Sequence, residues 1–169
     1  MIKIKIGLST LTLVVIVFGA YVRLTDAGLG CPDWPGCYGK LIPNVSEHDE
    51  ALDRPFDLGK AWREMTHRYL AGLLGLGIFG VVCYSVRLKR ESGFPLLEIS
   101  LIPLVLIQSI LGMFTVTLLL KPLVVTLHLL GGLIILSILW WSLLEDLARG
   151  QYVDSPRSLK TFGLLGFLV

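Results

Sequence analysis

Two histidines, His67 and His128, stand near the start of long apolar segments. The first lies in Glu64-Met65-Thr66-His67-Arg68, just ahead of an uncharged run from Tyr69 to Val86. The second lies in Thr126-Leu127-His128-Leu129, inside an uncharged run from Pro122 to Leu144. A polar side chain is costly inside a bilayer, so one found there usually faces a bundle interior and carries function. Two imidazoles at similar depth in one helical bundle are an axial ligand set for a haem iron. Glu64 is three residues before His67 and shares its helix face if that helix starts early enough. A carboxylate there can stabilise positive charge developing on a bound macrocycle, or move a proton. A helix-start glutamate favoured by the macrodipole explains the same spacing, and on spacing alone that explanation leads. Arg68 and Arg23 fall near the same end and can pair with haem propionates or with lipid headgroups. Gln108, midway along a third apolar run, reads as an interhelical hydrogen-bond partner rather than a catalytic group.

The elements that must position these residues are helices in a membrane. Hydrophobic residues make up 54% of the 169-residue chain and charged residues 17%. Four uncharged stretches, Ile6–Val22, Tyr69–Val86, Ile99–Leu120 and Pro122–Leu144, are each about long enough to cross a hydrocarbon core. The expected fold is therefore an all-α membrane protein, a four-helix transmembrane bundle. A cleaved signal peptide is the weaker reading of the first stretch, because Val22-Arg23-Leu24-Thr25 is a poor small-residue cleavage site. A net charge of +2 leaves no nucleic-acid footprint. Lys3 and Lys5, then Arg87, Lys89 and Arg90, then Arg149, Arg157 and Lys160 all fall on one side if the helices run up-down-up-down. That side is expected to be the cytoplasm, with the N-terminus in it, and the membrane a bacterial inner membrane. The other side then holds a long loop from Leu24 to Arg63 and a tight turn at Lys121-Pro122. We divide the chain into a haem-binding bundle over residues 1–148 and, over 149–169, a cytoplasmic linker leading into the start of a fifth helix. The apolar run that opens at Phe162 reaches Val169 without spanning a bilayer, so a longer protein is expected, of which this is the N-terminal portion.

Helices two and four run in the same direction. His128 is seven residues past Lys121, about 10 Å along a helix, which puts both imidazoles in the outer third of the membrane. Ala71 and Gly132, each four residues after a histidine, lie on the histidine's own face and would leave a gap for a flat macrocycle; ordinary close helix packing uses the same spacing. Cys31 and Cys37, in the outer loop, face an oxidising compartment in this orientation and read as a structural disulfide, with a redox-active pair as the alternative. Cys83 reads as a small packing residue deep in the second helix, and His48, among Glu47, Asp49 and Glu50, as solvated.

Several segments together resemble the haem A synthase family of respiratory-oxidase assembly. They are Gly19-Ala20-Tyr21-Val22-Arg23-Leu24-Thr25 running into Ala27-Gly28-Leu29-Gly30-Cys31-Pro32-Asp33-Trp34-Pro35, then Glu64-Met65-Thr66-His67-Arg68, Gln108-Ser109-Ile110-Leu111-Gly112 with Thr115-Val116, and Val125-Thr126-Leu127-His128. The resemblance implies an enzyme that oxidises the C8 methyl of haem O to the formyl group of haem A by successive hydroxylations. It implies two four-helix bundles, the N-terminal one for the substrate haem and the C-terminal one for a haem B cofactor. It matches His67 and His128 to the N-terminal histidine pair, Glu64 to the glutamate given a catalytic role, and Cys31 and Cys37 to the cysteine pair of the first outer loop. The second histidine pair and its helices have no counterpart in this sequence. The partners implied are haem O, the enzyme that makes it, and the oxidase assembly machinery, with the lipid bilayer around the chain and a homo-oligomer admitted.

Two other functions use some of the same residues. A membrane cytochrome b-type electron-transfer module needs both histidines but no neighbouring glutamate. A thiol–disulfide exchange protein would use Cys31 and Cys37, but the remaining cysteine, Cys83, is placed near the opposite face. Haem content separates the last from the others, and haem A formation separates the first two.

Overall fold

The computed structural model describes residues 1–43, 57–88 and 96–154. Among them are five helices: α1 (Ile2–Leu24), α2 (Leu58–Leu88), α3 (Leu96–Ile99), α4 (Leu101–Thr117) and α5 (Pro122–Asp154). Helices α3 and α4 act as one span broken at Ser100, so four helical spans are long and apolar enough to cross a membrane: Ile2–Leu24, Leu58–Arg87, Leu96–Thr117 and Pro122–Ala148. The break has a local cause. Pro103 has no N–H to give the carbonyl of Ile99, so the ladder is interrupted there. Pro122 opens α5, at a helix position where a missing N–H costs nothing. The four-helix architecture is the expected one.

Helix ends differ from the uncharged runs in informative ways. Helix α2 begins at Leu58, not near His67, because the Asp57 carboxylate accepts the Lys60 N–H at 3.0 Å and caps the first turn. The segment 58–63, assigned to the outer loop on charge, is helix. At the C-terminal ends of α1 and α4 the chain closes with paired backbone bonds of the Schellman type. Ala27 N–H reaches Val22 at 3.0 Å and Asp26 N–H reaches Arg23 at 3.2 Å; Leu120 N–H reaches Thr115 at 2.8 Å and Leu119 N–H reaches Val116 at 3.0 Å. The left-handed residues there are Asp26, Leu119 and Leu120, with φ of 53°, 53° and 57°. Helix α5 runs on to Asp154, into the segment read as linker. Lys89, Arg90, Arg157, Lys160, the run from Phe162, and the loop around His48 lie outside the described residues.

The apolar core joins all four spans: Leu8 and Val15 from α1, Leu74, Ile78, Val81 and Val82 from α2, Leu101 from α4, Ile135 and Leu139 from α5. Cys83 is not part of it; its thiol is free and exposed on the lipid-facing side of α2. One end of the bundle is closed by charge. Lys5, read above as a flanking cation ahead of the first helix, lies within α1 and is 1% exposed. Its Nζ lies 3.1 Å from Glu98 Oε1 and 2.8 Å from Asp146 Oδ2. It also donates to Ser142 Oγ at 2.6 Å, while Ser142 Oγ donates to Glu98 Oε1 at 3.0 Å. Burying an ammonium is tolerable only with such partners, and this one ties α1, α3 and α5 together.

Candidate functional site

The histidines sit at the other end. His67 is nine residues into α2 and His128 six residues into α5. Their levels can be read from the glycines they touch. A Cβ at Gly19 of α1 would stand 2.8 Å from His67 Cε1, and one at Gly112 of α4 would stand 3.2 Å from His128 Cε1. A Cβ at Gly132 would meet Ile16 at 3.4 Å. Ile16 is one turn below Gly19, and Gly132 one turn below His128, so the two imidazoles share a level across the bundle.

Each ring rests on a bare stretch of neighbouring helix. The small residues that seat the rings are Gly19 and Gly112, on partner helices, rather than Ala71 and Gly132 on the histidines' own. Ala71 packs against the apolar core, and Gly132 serves the approach of α1 and Gln108. Phe18 adds a tilted aromatic contact to His67, ring centroids 6.4 Å apart. Nδ1 of both imidazoles is buried and has no hydrogen-bond partner. A buried polar atom without a partner is costly, so these two nitrogens set the histidines apart from ordinary packing residues. Gln108 is the interhelical partner expected of it: its Nε2 donates to the His128 carbonyl at 2.6 Å.

Glu64, Arg68 and the cysteines form a second assembly on another face of α2. Ala61, Glu64, Met65, Arg68 and Tyr69 recur at three- and four-residue spacing, so they make one stripe. The outer loop lies along it. Cys31 and Cys37 are joined in a disulfide and buried against Ala61 and Met65. Gly30 lets the loop touch the α2 backbone, since a Cβ there would stand 2.6 Å from the Lys60 carbonyl carbon. Glu64, 4% exposed, accepts the Cys31 N–H at 2.9 Å and Arg68 Nη2 at 2.5 Å. Arg68 Nη1 donates to the carbonyls of Asp33 at 2.9 Å, Pro35 at 3.2 Å and Gly36. Tyr69 reaches the Leu41 carbonyl. Asp33 in turn accepts the backbone N–H of Tyr38 and Gly39 at 2.6 and 2.8 Å, which folds the loop tip. Glu64 is thus beside His67 in sequence, yet its carboxylate is turned to the loop. Arg68, expected at a propionate, has its guanidinium on loop carbonyls. Arg23 is exposed at the end of α1 near Asp26, whose carboxyl is held below its usual range by the Lys60 ammonium 2.9 Å away.

The histidines and cysteines were visible by type. Gly19 and Gly112 were not, because a glycine in an apolar helix signals close packing without saying what comes close. Lys5, Glu98 and Asp146 were visible only as charges flanking apolar runs.

A family model described as cytochrome oxidase assembly protein matches residues 3–169. A heme A synthase of Shewanella oneidensis is 46% identical over 163 residues, covering 93% of this chain and 48% of that protein. A heme A synthase of Parvibaculum lavamentivorans is 28% identical over 127 residues, covering 63% of this chain and 34% of that protein. A protoheme IX farnesyltransferase of Thermus thermophilus is 32% identical over 82 residues, covering 48% of this chain and 12% of that protein. The chain spans about half the length of the Shewanella relative and less of the other two.

Proposed function

Because the chain belongs to the cytochrome oxidase assembly protein family, we propose that it is the substrate-haem bundle of a haem A synthase, oxidising the C8 methyl of haem O to a formyl group by successive hydroxylations. One observation supports this most directly. Two half-buried imidazoles from α2 and α5 share a level, each rests on a glycine, and each has a buried Nδ1 without a partner. These residues suit a haem: His67 and His128 would hold the iron, and the substrate supplies the methyl and the redox-active macrocycle.

The chain's own residues do the rest. The glycine seats fix the ring planes. The core of Leu74, Ile78, Ile135 and Leu139 below the histidines keeps water from the inner side. Arg23 is the cation we assign to a propionate; Arg68, committed to the loop, adds its charge at the same end. We assign Glu64 the catalytic role, as a fixed negative charge near the macrocycle edge, oriented by Arg68 and the Cys31 N–H. We read the N-terminus as cytoplasmic and the disulfide loop as lying outside a bacterial inner membrane, from the placement of lysine and arginine. A haem B cofactor would belong to a second bundle outside this chain. The enzyme that makes haem O is the partner we assign: a segment similar to this chain is part of a protein named for protoheme IX farnesylation.

The test is direct. Reconstituted with haem, the protein should give a low-spin, six-coordinate spectrum that His67→Ala or His128→Ala converts to five-coordinate. Cells lacking their own haem A synthase should regain haem A with the intact protein and not with either variant. Unchanged spectra in both variants would sink the assignment.

A further inference from the structure

The mount beneath His128 is more elaborate than a ligand needs for burial alone. Gln108 lies in the middle of an apolar span, where leucine would be the cheap choice. Its Nε2 donates to the His128 carbonyl at 2.6 Å, and its Oε1 is buried without a partner. An amide with one unmatched atom in a dry helix contact is a cost that must be balanced. The space it occupies is made by two consecutive glycines. A Cβ at Gly131 would run into the amide oxygen, and one at Gly132 would stand 3.5 Å from Nε2. One turn along α4, on the same face, Gly112 receives the imidazole itself. A single face of α4 therefore holds His128 at two points, the backbone by an amide and the ring by a bare glycine. His67 has the glycine seat on α1 but, among the described residues, no such amide.

We propose that Gln108 is a positioning residue for His128, fixing the rotation and depth of α5 so that the imidazole plane has one orientation over Gly112. The proposal rests on His128 being a haem ligand. Its consequence is that the two ligands are unequal: His128 is held by an amide and a glycine of α4, and His67 by Gly19 and Phe18 of α1.

The experiment uses the full chain reconstituted with haem B. Gln108→Met keeps the volume and removes the donor. Gly131→Ala leaves the amide in place but displaces it, touching neither histidine. Gly72→Ala is the control, since nothing lies within 4 Å of a Cβ there. The readouts are the low-spin electron paramagnetic resonance g values, which report imidazole orientation, and the rate of haem loss. Gln108→Met should shift the g values and speed haem loss roughly fivefold, the worth of one net hydrogen bond. Unchanged g values overturn the proposal, even if haem leaves faster, because that would mark a contact of packing only. If Gln108→Met does not accumulate, Gly131→Ala decides by the same criterion. His128→Ala separates the two claims. If it leaves the six-coordinate spectrum intact, the ligand assignment falls and this proposal with it. If it abolishes that spectrum while the g values of the Gln108 variant stay put, only the positioning role falls.

Discussion

Glu64 has an anchoring job and a proposed catalytic one, and a variant can separate them. Its carboxylate holds the Cys31 N–H and the Arg68 guanidinium, and it stands one turn before His67. Glu64→Gln keeps an acceptor for the Cys31 N–H and loses the charge. In the full-length protein it should bind haem O, make little haem A or stall at a hydroxylated intermediate, and keep the disulfide loop docked. Pigment chromatography and protease resistance of the loop measure the two outcomes. A released loop with normal haem A would assign Glu64 to anchoring alone. Gly19 makes a second prediction at this scale. A methyl there would force the His67 ring off its present position, at a cost of about 1 kcal/mol for a strained rotamer, so Gly19→Ala should weaken haem binding several-fold. Equilibrium titration with haem checks it. The histidine pair was legible because imidazole is rare in apolar runs. The seats were not, because each belongs to a neighbouring helix, and helix adjacency is not written locally.

At the scale of elements, the described part of the loop after α1, through residue 43, is stitched to one stripe of α2. Its disulfide closes a ring of short separation, six residues, for which loop entropy gives about 2 kcal/mol. The Cys31→Ser/Cys37→Ser variant should lose about that much stability and expose the loop to protease, while Arg68 still binds the loop carbonyls. Retained haem A formation would make the pair structural. The turn between α4 and α5 is the other informative element. Leu119 takes a left-handed conformation that costs a non-glycine residue about 1 kcal/mol or more. Leu119→Gly should raise the unfolding temperature, measured in detergent; a drop would mean that its side chain matters more than its backbone. Span number and type were legible from charge-free runs. Helix starts were not, since α2 opens through Lys60, Arg63 and Glu64, and only the Asp57 cap marks where it begins.

Across the described residues, the candidate site and the charge clamp lie at opposite ends. The histidines share a level near one end, and the Lys5 cluster clamps the other. Lys5→Met would remove the ammonium from beside buried Glu98 and half-buried Asp146, and should cost about 3–5 kcal/mol. Adding Glu98→Gln and Asp146→Asn should restore part of it, read by thermal unfolding in detergent. The clamp also sets a schedule. Lys5 precedes Ser142 by 137 positions, so it leaves the ribosome well before Ser142 does. Until α5 emerges, the ammonium has no complete set of partners and belongs at the headgroups rather than in the bundle. The first helix is therefore inserted early but seated last, and a nascent chain arrested before Ser142 should leave Lys5 open to an amine-reactive reagent that the finished chain excludes.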